Sequence, residues 1–350
     1  MNVAFRKKYL IIAVLFISLV AGGYSGASRL IKDRAEQKRQ AEIAAQVKPV
    51  FGNLPDVKLS YSYDSADSKK TYIVPEMAEG LEGNPKVAKV YKYQNDKALT
   101  LLDATRIASV LGITTQSQKQ EDESYIFYGE EKKSALTFWP KYNQINYYRR
   151  DGDFSGIVPS KETAMNTASY YLSQFNLAGF DLTPDSNSTK LEIRKDKEYP
   201  EVGTTELYDS VFVPFTRRGL DFKSVTMPYQ DQLLYLAIGP GNKILNMALY
   251  YAPLSDETSG VYQIKELAKA QEEARAGGGQ IVDLSMPDSF YFNADAKQPE
   301  ISAVSVNSWY LAYLDRQDLE FLQPVYVFSG TASLVSSSSA PVTLYINAVK

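Results

Sequence analysis

An α+β body behind an N-terminal transmembrane helix and stalk is the fold predicted for these 350 residues, with about three helix-plus-antiparallel-meander units in the body. Three observations predict it. A 20-residue stretch without a charge runs from Tyr9 to Ser28 behind Arg6, Lys7 and Lys8. Three later segments combine a helical apolar period with a closing glycine. Each is followed by runs rich in Tyr, Phe, Val and Ile that turn residues interrupt, the pattern of strands and hairpins.

Apolar residues make up 44% of the chain and charged residues 23%, so it can bury a sizeable core and is no disordered or multispanning polypeptide. Cysteine and histidine are absent. That removes Ser-His-Asp and Cys-His nucleophiles, thiolate and imidazole zinc sites, and disulfides. Any catalyst would have to use carboxylates, Lys, Arg, Tyr or Ser.

The charge-free stretch 9–28 is long enough to cross a bilayer as one helix. Its densest apolar run, Tyr9–Ala21, is short, and Ser25-Gly26-Ala27 resembles a cleavage site, so a removable signal peptide competes with an uncleaved anchor. The anchor is the expectation, because the neutral stretch continues to Ser28 and charged helix-forming sequence follows directly. Residues 1–8 are then a cytoplasmic tail, and the C-terminal body is extracytoplasmic. Arg29, Lys32, Arg34, Lys38 and Arg39 on the far flank oppose that orientation by simple positive-inside counting. A short basic head before an apolar core is nevertheless the export arrangement, and large following domains translocate largely regardless of charge.

Residues 29–56 read as a juxtamembrane helix and linker, with opposite charges at Arg29/Asp33 and Lys32/Glu36 spaced i,i+4 and Pro49, Gly52 and Pro55 ending the helix. Three units follow, at 57–156, 157–255 and 256–350. The first helix carries Leu101, Ala104, Ala108 and Leu111 before Gly112. The second is capped by Ser160 and aligns Ala164, Met165, Ala168, Tyr171, Leu172 and Phe175 before Gly179. The third carries Val261, Ile264, Leu267 and Ala268 before Gly277-Gly278-Gly279. Strands are expected at 125–128, 135–139, 145–148, 210–215, 233–238, 244–251, 303–314, 325–329 and 342–348. The stretch 183–205 reads as an exposed insertion and 334–340 as a hairpin loop.

Residues 1–48 hold nine Lys/Arg against three Asp/Glu, a net +6, which leaves −9 for residues 49–350. An acidic body is a poor nucleic-acid binder, and Arg149-Arg150 and Arg217-Arg218 are expected to be solvated hairpin tips. No nucleic-acid partner is expected.

The single anchor and repeated helix-plus-meander units resemble the PepSY-like architecture, in particular the YycH/YycI-type membrane-anchored regulatory proteins of a cell-wall sensor kinase. The best local match is Val304-Ser305-Val306-Asn307-Ser308-Trp309-Tyr310-Leu311-Ala312-Tyr313, followed by Leu322-Gln323-Pro324-Val325-Tyr326-Val327-Phe328 and a final strand through Ala348. The resemblance implies protein–protein regulation at the membrane surface and transfers no catalytic residue.

No G-x-S-x-G, S-x-x-K, Walker-type or G-x-G-x-x-G string occurs. One string does carry chemistry: residues 151–162 fit the calcium-loop template D-x-D-x-S-G-x₅-E. Asp151, Asp153 and Ser155 would offer side-chain oxygens, Ile157 its carbonyl and Glu162 two oxygens, with Gly156 at the sharp turn. The same string also reads as a strand-to-helix turn in which Ser160 caps and Glu162 meets the helix dipole. Apart from calcium no cofactor is expected.

The expected function is therefore that of a non-enzymatic extracytoplasmic domain, anchored in the cell membrane through residues 9–28, that binds and regulates a membrane or envelope protein through strand edges and loops. The alternative is a protein that binds cell-wall glycan or cleaves it with carboxylates. The acidic doublets Glu130-Glu131, Asp256-Glu257 and Glu272-Glu273 would be its acids, and Trp139, Trp309 and the 26 tyrosines its stacking platform. The PepSY resemblance alone adds a third, a protease-inhibiting chaperone-like module.

Overall fold

The computed structural model describes residues 38, 40–57, 70–76, 85–94, 98–149, 157–177, 180–192, 209–226, 233–284, 299–316, 319–335 and 338–350, with side chains at 256–258 excepted. The expected span at 9–28 lies outside the described residues. Among those described, no helix is long and apolar enough to cross a membrane. The chain divides into two compact units, 1–48 and 49–350. In the first, residues 40–46 form helix α1, and Lys38 pairs with Glu42 one turn later at 3.9 Å on an exposed face.

The second unit is α+β, with three helices and seventeen strands among its described residues. In chain order these are β1 (Thr71–Ile73), β2 (Val87–Tyr93), α2 (Leu101–Val110), β3 (Gln118–Lys119), β4 (Tyr125–Tyr128), β5 (Ser134–Trp139), β6 (Gln144–Arg149), α3 (Lys161–Phe175), β7 (Leu182–Pro184), β8 (Lys190–Glu192), β9 (Ser210–Arg217) and β10 (Ser224–Val225). There follow β11 (Leu234–Ile238), β12 (Ile244–Tyr250), β13 (Leu254–Gln263), α4 (Leu267–Arg275), β14 (Gln280–Leu284), β15 (Ile301–Leu314), β16 (Phe321–Leu334) and β17 (Ser339–Asn347). They build two sheets. One has nine strands in the order β3-β4-β5-β6-β12-β11-β9-β7, with β8 also on β9. The other has eight, in the order β1-β15-β16-β17-β14, with β10 on β15, β2 on β16 and β13 on β2.

Each long helix is followed by a meander: α2 by β3 to β6, α3 by β9, β11 and β12, and α4 by β15 to β17. The expected boundary near 156 does not fall between separate sheets, because β6 pairs with β12 from Asn246↔Tyr148 to Tyr250↔Gln144 and joins both meanders into one surface.

The helices form where caps and apolar spacing agree. Thr100 and Asp103 make a reciprocal capping box at α2, and the Ser160 hydroxyl accepts the Thr163 N–H at α3. Ala104, Ile107 and Ala108 of α2 and Ala164, Ala168 and Phe175 of α3 are fully buried against the nine-stranded sheet, on its Leu136, Phe138, Ile145, Met247 and Leu249 face. Leu101, expected in that face, is 38% exposed, and Ile107 takes its place. The third helix starts later than its apolar period suggests. Val261 belongs to β13, pairing with Lys89, and Ile264 bridges Val349, since β-branched side chains pack well on a pleated surface. Leu267, Ala270 and Ala274 then supply the buried face, and Gly277 ends α4's last turn with φ +75°.

In the eight-stranded sheet, alternation sorts side chains between two layers. Tyr326, Phe328, Leu344 and Ile346 face α4, while Val325, Val327 and Tyr345 face the other way, where Val57 packs. A register shift between Val306 and Ser308 reverses the alternation along β15: Val304 and Val306 face α4 before it, Trp309 and Leu311 after it. The segment 49–57 straps across the far layer. Phe51 packs between Tyr262 and Phe321, and the Gln323 and Gln280 amides donate to the Pro55 and Val57 carbonyls at 3.1 and 3.0 Å.

The stretch 183–205 begins as structure, not as a free insertion. β7 and β8 pair with β9 and bury Leu182, Leu191 and Glu192; residues 193–205 lie outside the described residues. At the expected hairpin loop 334–340, β16 and β17 pair as far as Ser333↔Ser339 and the Leu334 N–H donates to the Ser338 carbonyl; residues 336–337 lie outside the described residues.

Candidate functional site

Of the calcium-loop residues, Asp151, Asp153 and Ser155 lie outside the described residues. Ile157 is 90% exposed, and Glu162 stands exposed in the first turn of α3. Among the described residues, no group of three or more acidic side chains is placed to hold a metal ion.

The acidic doublets are dispersed. Glu130 and Glu131 sit in the β4–β5 turn, where Glu131 pairs with Lys133 at 2.6 Å and its carboxyl is held below the usual range by that hydrogen bond and charge. Glu273, on α4, pairs with Lys265 at 2.8 Å. The side chains of Asp256 and Glu257 lie outside the described residues. The two tryptophans belong to different sheets, Trp139 to β5 and Trp309 to β15, where Trp309 packs on Tyr326.

What the structure does bring together is the face of the nine-stranded sheet opposite α2 and α3. Side chains of β5, β6, β9, β11 and, beyond the register shift at Ala237/Ile238, β12 from Asn246 onward alternate, so every second residue points away from the helices, and the registers align these into rows. One row is Trp139, Gln144 and Tyr250. The next is Thr137, Asn146, Ala248 and Tyr235. A third is Ala135, Tyr148, Asn246, Ala237 and Phe212. No residue in these rows is charged. Lys190 lies beside Phe212 at the margin, its ammonium 5.3 Å from the ring centroid and 3.2 Å from the Glu192 carboxylate.

The alanines Ala135, Ala237 and Ala248 sit low, at most 9% exposed, while Tyr148 stands 38% exposed. Phe212 and Tyr235 pack ring to ring at 5.0 Å, and the Gln144 amide donates to the Tyr250 hydroxyl at 2.8 Å and to the Asn146 amide oxygen at 3.2 Å. The result is a floor of small residues between aromatic ridges, edged by oriented amides. It can bury ring and CH surface and satisfy neutral hydrogen-bonding groups; it has no nucleophile–base pair. The period-2 pattern of Leu136–Trp139 and Gln144–Tyr148 made the strands legible, but it does not say which strands from distant segments lie side by side.

A second constellation is ionic, buried, and closed to ligands. Arg217, at the end of β9, was expected at a solvated tip; its side chain is 3% exposed. The turn it precedes crosses from one sheet to the other, so the guanidinium meets Asp315 at the end of β15. Its Nε donates to Oδ2 at 2.6 Å and its Nη2 to Oδ1 at 3.0 Å and to the Ala252 carbonyl at 2.6 Å. The Tyr93 hydroxyl donates to Asp315 Oδ1 at 2.8 Å and accepts the Arg316 N–H at 3.1 Å. Burial and the Asp315 charge push the Tyr93 hydroxyl well above its ordinary range. Burial works against the Arg217 charge, and the Asp315 carboxylate outweighs it. Arg218 is solvated as expected, with Asp181 at 3.7 Å; Arg149 is half-buried, and Arg150 lies outside the described residues.

Comparison with protein families, curated proteins and solved structures finds no match to this chain.

Proposed function

We propose that this protein is a non-enzymatic, membrane-anchored extracytoplasmic domain that binds and regulates a membrane or cell-envelope protein. The observation that carries the binding reading is the uncharged aromatic and amide face of the nine-stranded sheet. Interface cores are depleted of charge and enriched in Tyr, Trp and Phe, and this face has that composition on a body of net charge −9. The anchor is read from the charge-free stretch 9–28 behind its basic triplet. Regulation of a sensor kinase is the role that the resemblance to YycH/YycI-type proteins implies, with three PepSY-like units in the body.

The test is site-specific photocrosslinking in native membranes, with the photoreactive residue at Tyr148 and, as a control, at Thr331 in the other sheet. A discrete protein adduct from Tyr148 and none from Thr331 is the expected result. No adduct from either position contradicts it.

The rings and the Gln144, Asn146 and Asn246 amides on one face also favour a second reading, a neutral glycan as occupant. In that case Tyr148 gives no protein adduct, and the purified protein sediments with cell-wall material until Tyr148 and Tyr235 are replaced by alanine.

A further inference from the structure

The chain crosses between the two sheets at three described places: from β2 toward α2 after Tyr93, from β9 to β10 after Arg217, and from β12 to β13 through Tyr251, Ala252 and Pro253. The buried ionic cluster takes one group from each crossing. Tyr93 supplies a hydroxyl, Arg217 a guanidinium and Ala252 a carbonyl, and all three converge on or beside Asp315, where β15 ends. Backbone bonds run alongside: the Gln94 N–H donates to the Pro253 carbonyl at 2.9 Å and the Asp315 N–H to the Val225 carbonyl at 2.8 Å.

Besides these, the half-buried Thr216 and Ser224 hydroxyls, 3.0 Å apart, link β9 to β10, and the core packing across the junction is apolar. Tyr313 and Leu322 of the eight-stranded sheet are buried in the same core as Phe180 and Tyr251. Such packing is non-directional and tolerates sliding or rotation of one sheet over the other. The ionic cluster does not. A planar guanidinium that donates to both oxygens of one carboxylate and to a fixed carbonyl allows one mutual orientation, and the centroids of the Tyr93 and Phe180 rings lie 5.7 and 5.9 Å from its central carbon.

We propose that the Arg217–Asp315 pair is an orientation latch: it fixes the angle between the two sheets, and its contribution to stability is secondary. A buried ion pair replaced whole by apolar residues of similar volume commonly costs little stability, so specificity of arrangement is the property left for it to supply. The eight-stranded sheet receives the chain through the 49–57 strap, and the nine-stranded sheet carries the aromatic face. The latch makes these two surfaces one rigid piece. Its relevance to partner binding rests on the function proposed above; the latch itself is read without any partner, so the two fail separately.

The absence of native cysteine permits the test on the full-length protein. Cysteines at Lys141, exposed in the β5–β6 turn, and Thr331, exposed on β16, carry spin labels whose separation is measured by pulsed electron resonance. With the native pair the expected distance distribution is single and narrow. In Arg217→Met/Asp315→Leu it broadens about twofold or gains a second population, while the thermal midpoint stays within about 5 °C. Arg217→Lys keeps the charge but not the two-pronged geometry, and broadens to an intermediate extent. An unchanged width in either folded variant overturns the proposal. So does failure of both variants to fold, because the pair would then be a stability element.

Discussion

Phe51 and Tyr262, 211 residues apart, hold each other twice: their rings stack with centroids 6.5 Å apart, and the Phe51 N–H donates to the Tyr262 hydroxyl at 2.8 Å. The strap 49–57 is thereby fastened to β13 by one polar and one apolar contact on the same pair of residues. Tyr262→Phe removes only the acceptor and should cost about 1 kcal/mol. Phe51→Ala also empties the site between Tyr262 and Phe321 and should cost about 3 kcal/mol. Hydrogen exchange localises the effect: amides at 50–57 lose protection in both variants, and α2 and α3 are unaffected. Equal loss across the chain would show that the strap is not a separate fastening.

Breaking the buried ion pair from one side should be far costlier than replacing it whole. Asp315→Ala leaves the Arg217 guanidinium enclosed, with the Ala252 carbonyl as its remaining strong acceptor. A loss of about 3–5 kcal/mol in urea unfolding is expected, against a small change for the apolar double variant. A single-variant loss below about 1 kcal/mol would mean that water reaches the site.

The capping box at α2 predicts a signed pH dependence. The Asp103 carboxyl is partly desolvated, which raises its pKa, but the Thr100 hydroxyl and N–H and the nearby Arg106 outweigh that and hold it below the ordinary value. A carboxylate whose folded pKa lies below its unfolded one contributes stability above the unfolded value, about 4, and loses it as pH falls through the folded value. Thr100→Ala should therefore cost about 1 kcal/mol at pH 7, and the gap to the native protein should narrow below about pH 4. Chemical denaturation at both pH values checks this; a gap independent of pH contradicts it.

Gly330 lies opposite Val306, where β15 shifts register. A Cβ there would collide with the Ser305 carbonyl oxygen, a backbone atom that cannot rotate away. Gly330→Ala should destabilise by about 3 kcal/mol and disturb β15–β16 pairing, visible as lost amide protection at 304–308. Gly112→Ala meets no atom within 4 Å, and its cost comes only from φ +81°. Its penalty should be nearer 1 kcal/mol, leaving that strand pair intact.

Local order was legible where chemistry is local. The Ser160 cap, the apolar face of α3 and the alternating strands 135–139 and 145–148 each depend on a few neighbouring residues, and the structure has them all. The third helix starts later than its apolar period suggests because Val261 and Ile264 fit a helical period as well as a strand. Their pairing with Lys89 and Val349 decides it, and that is a long-range fact. The burial of Arg217 is long-range in the same way. A charge that ends an apolar strand faces water unless a partner meets it, and Asp315 arrives from 98 residues away. The aromatic face needed the pairing of β6 with β12, which merges two expected units into one sheet. No spacing within either segment encodes it.

The proposed function requires that a folded binding body stand outside the membrane, held by the segment at 9–28. Its most direct test is protease access to a C-terminal tag on the full-length chain in intact cells. The account predicts that external protease removes the tag while a cytoplasmic control protein survives. A tag that resists protease in intact cells and is digested only after lysis would contradict it.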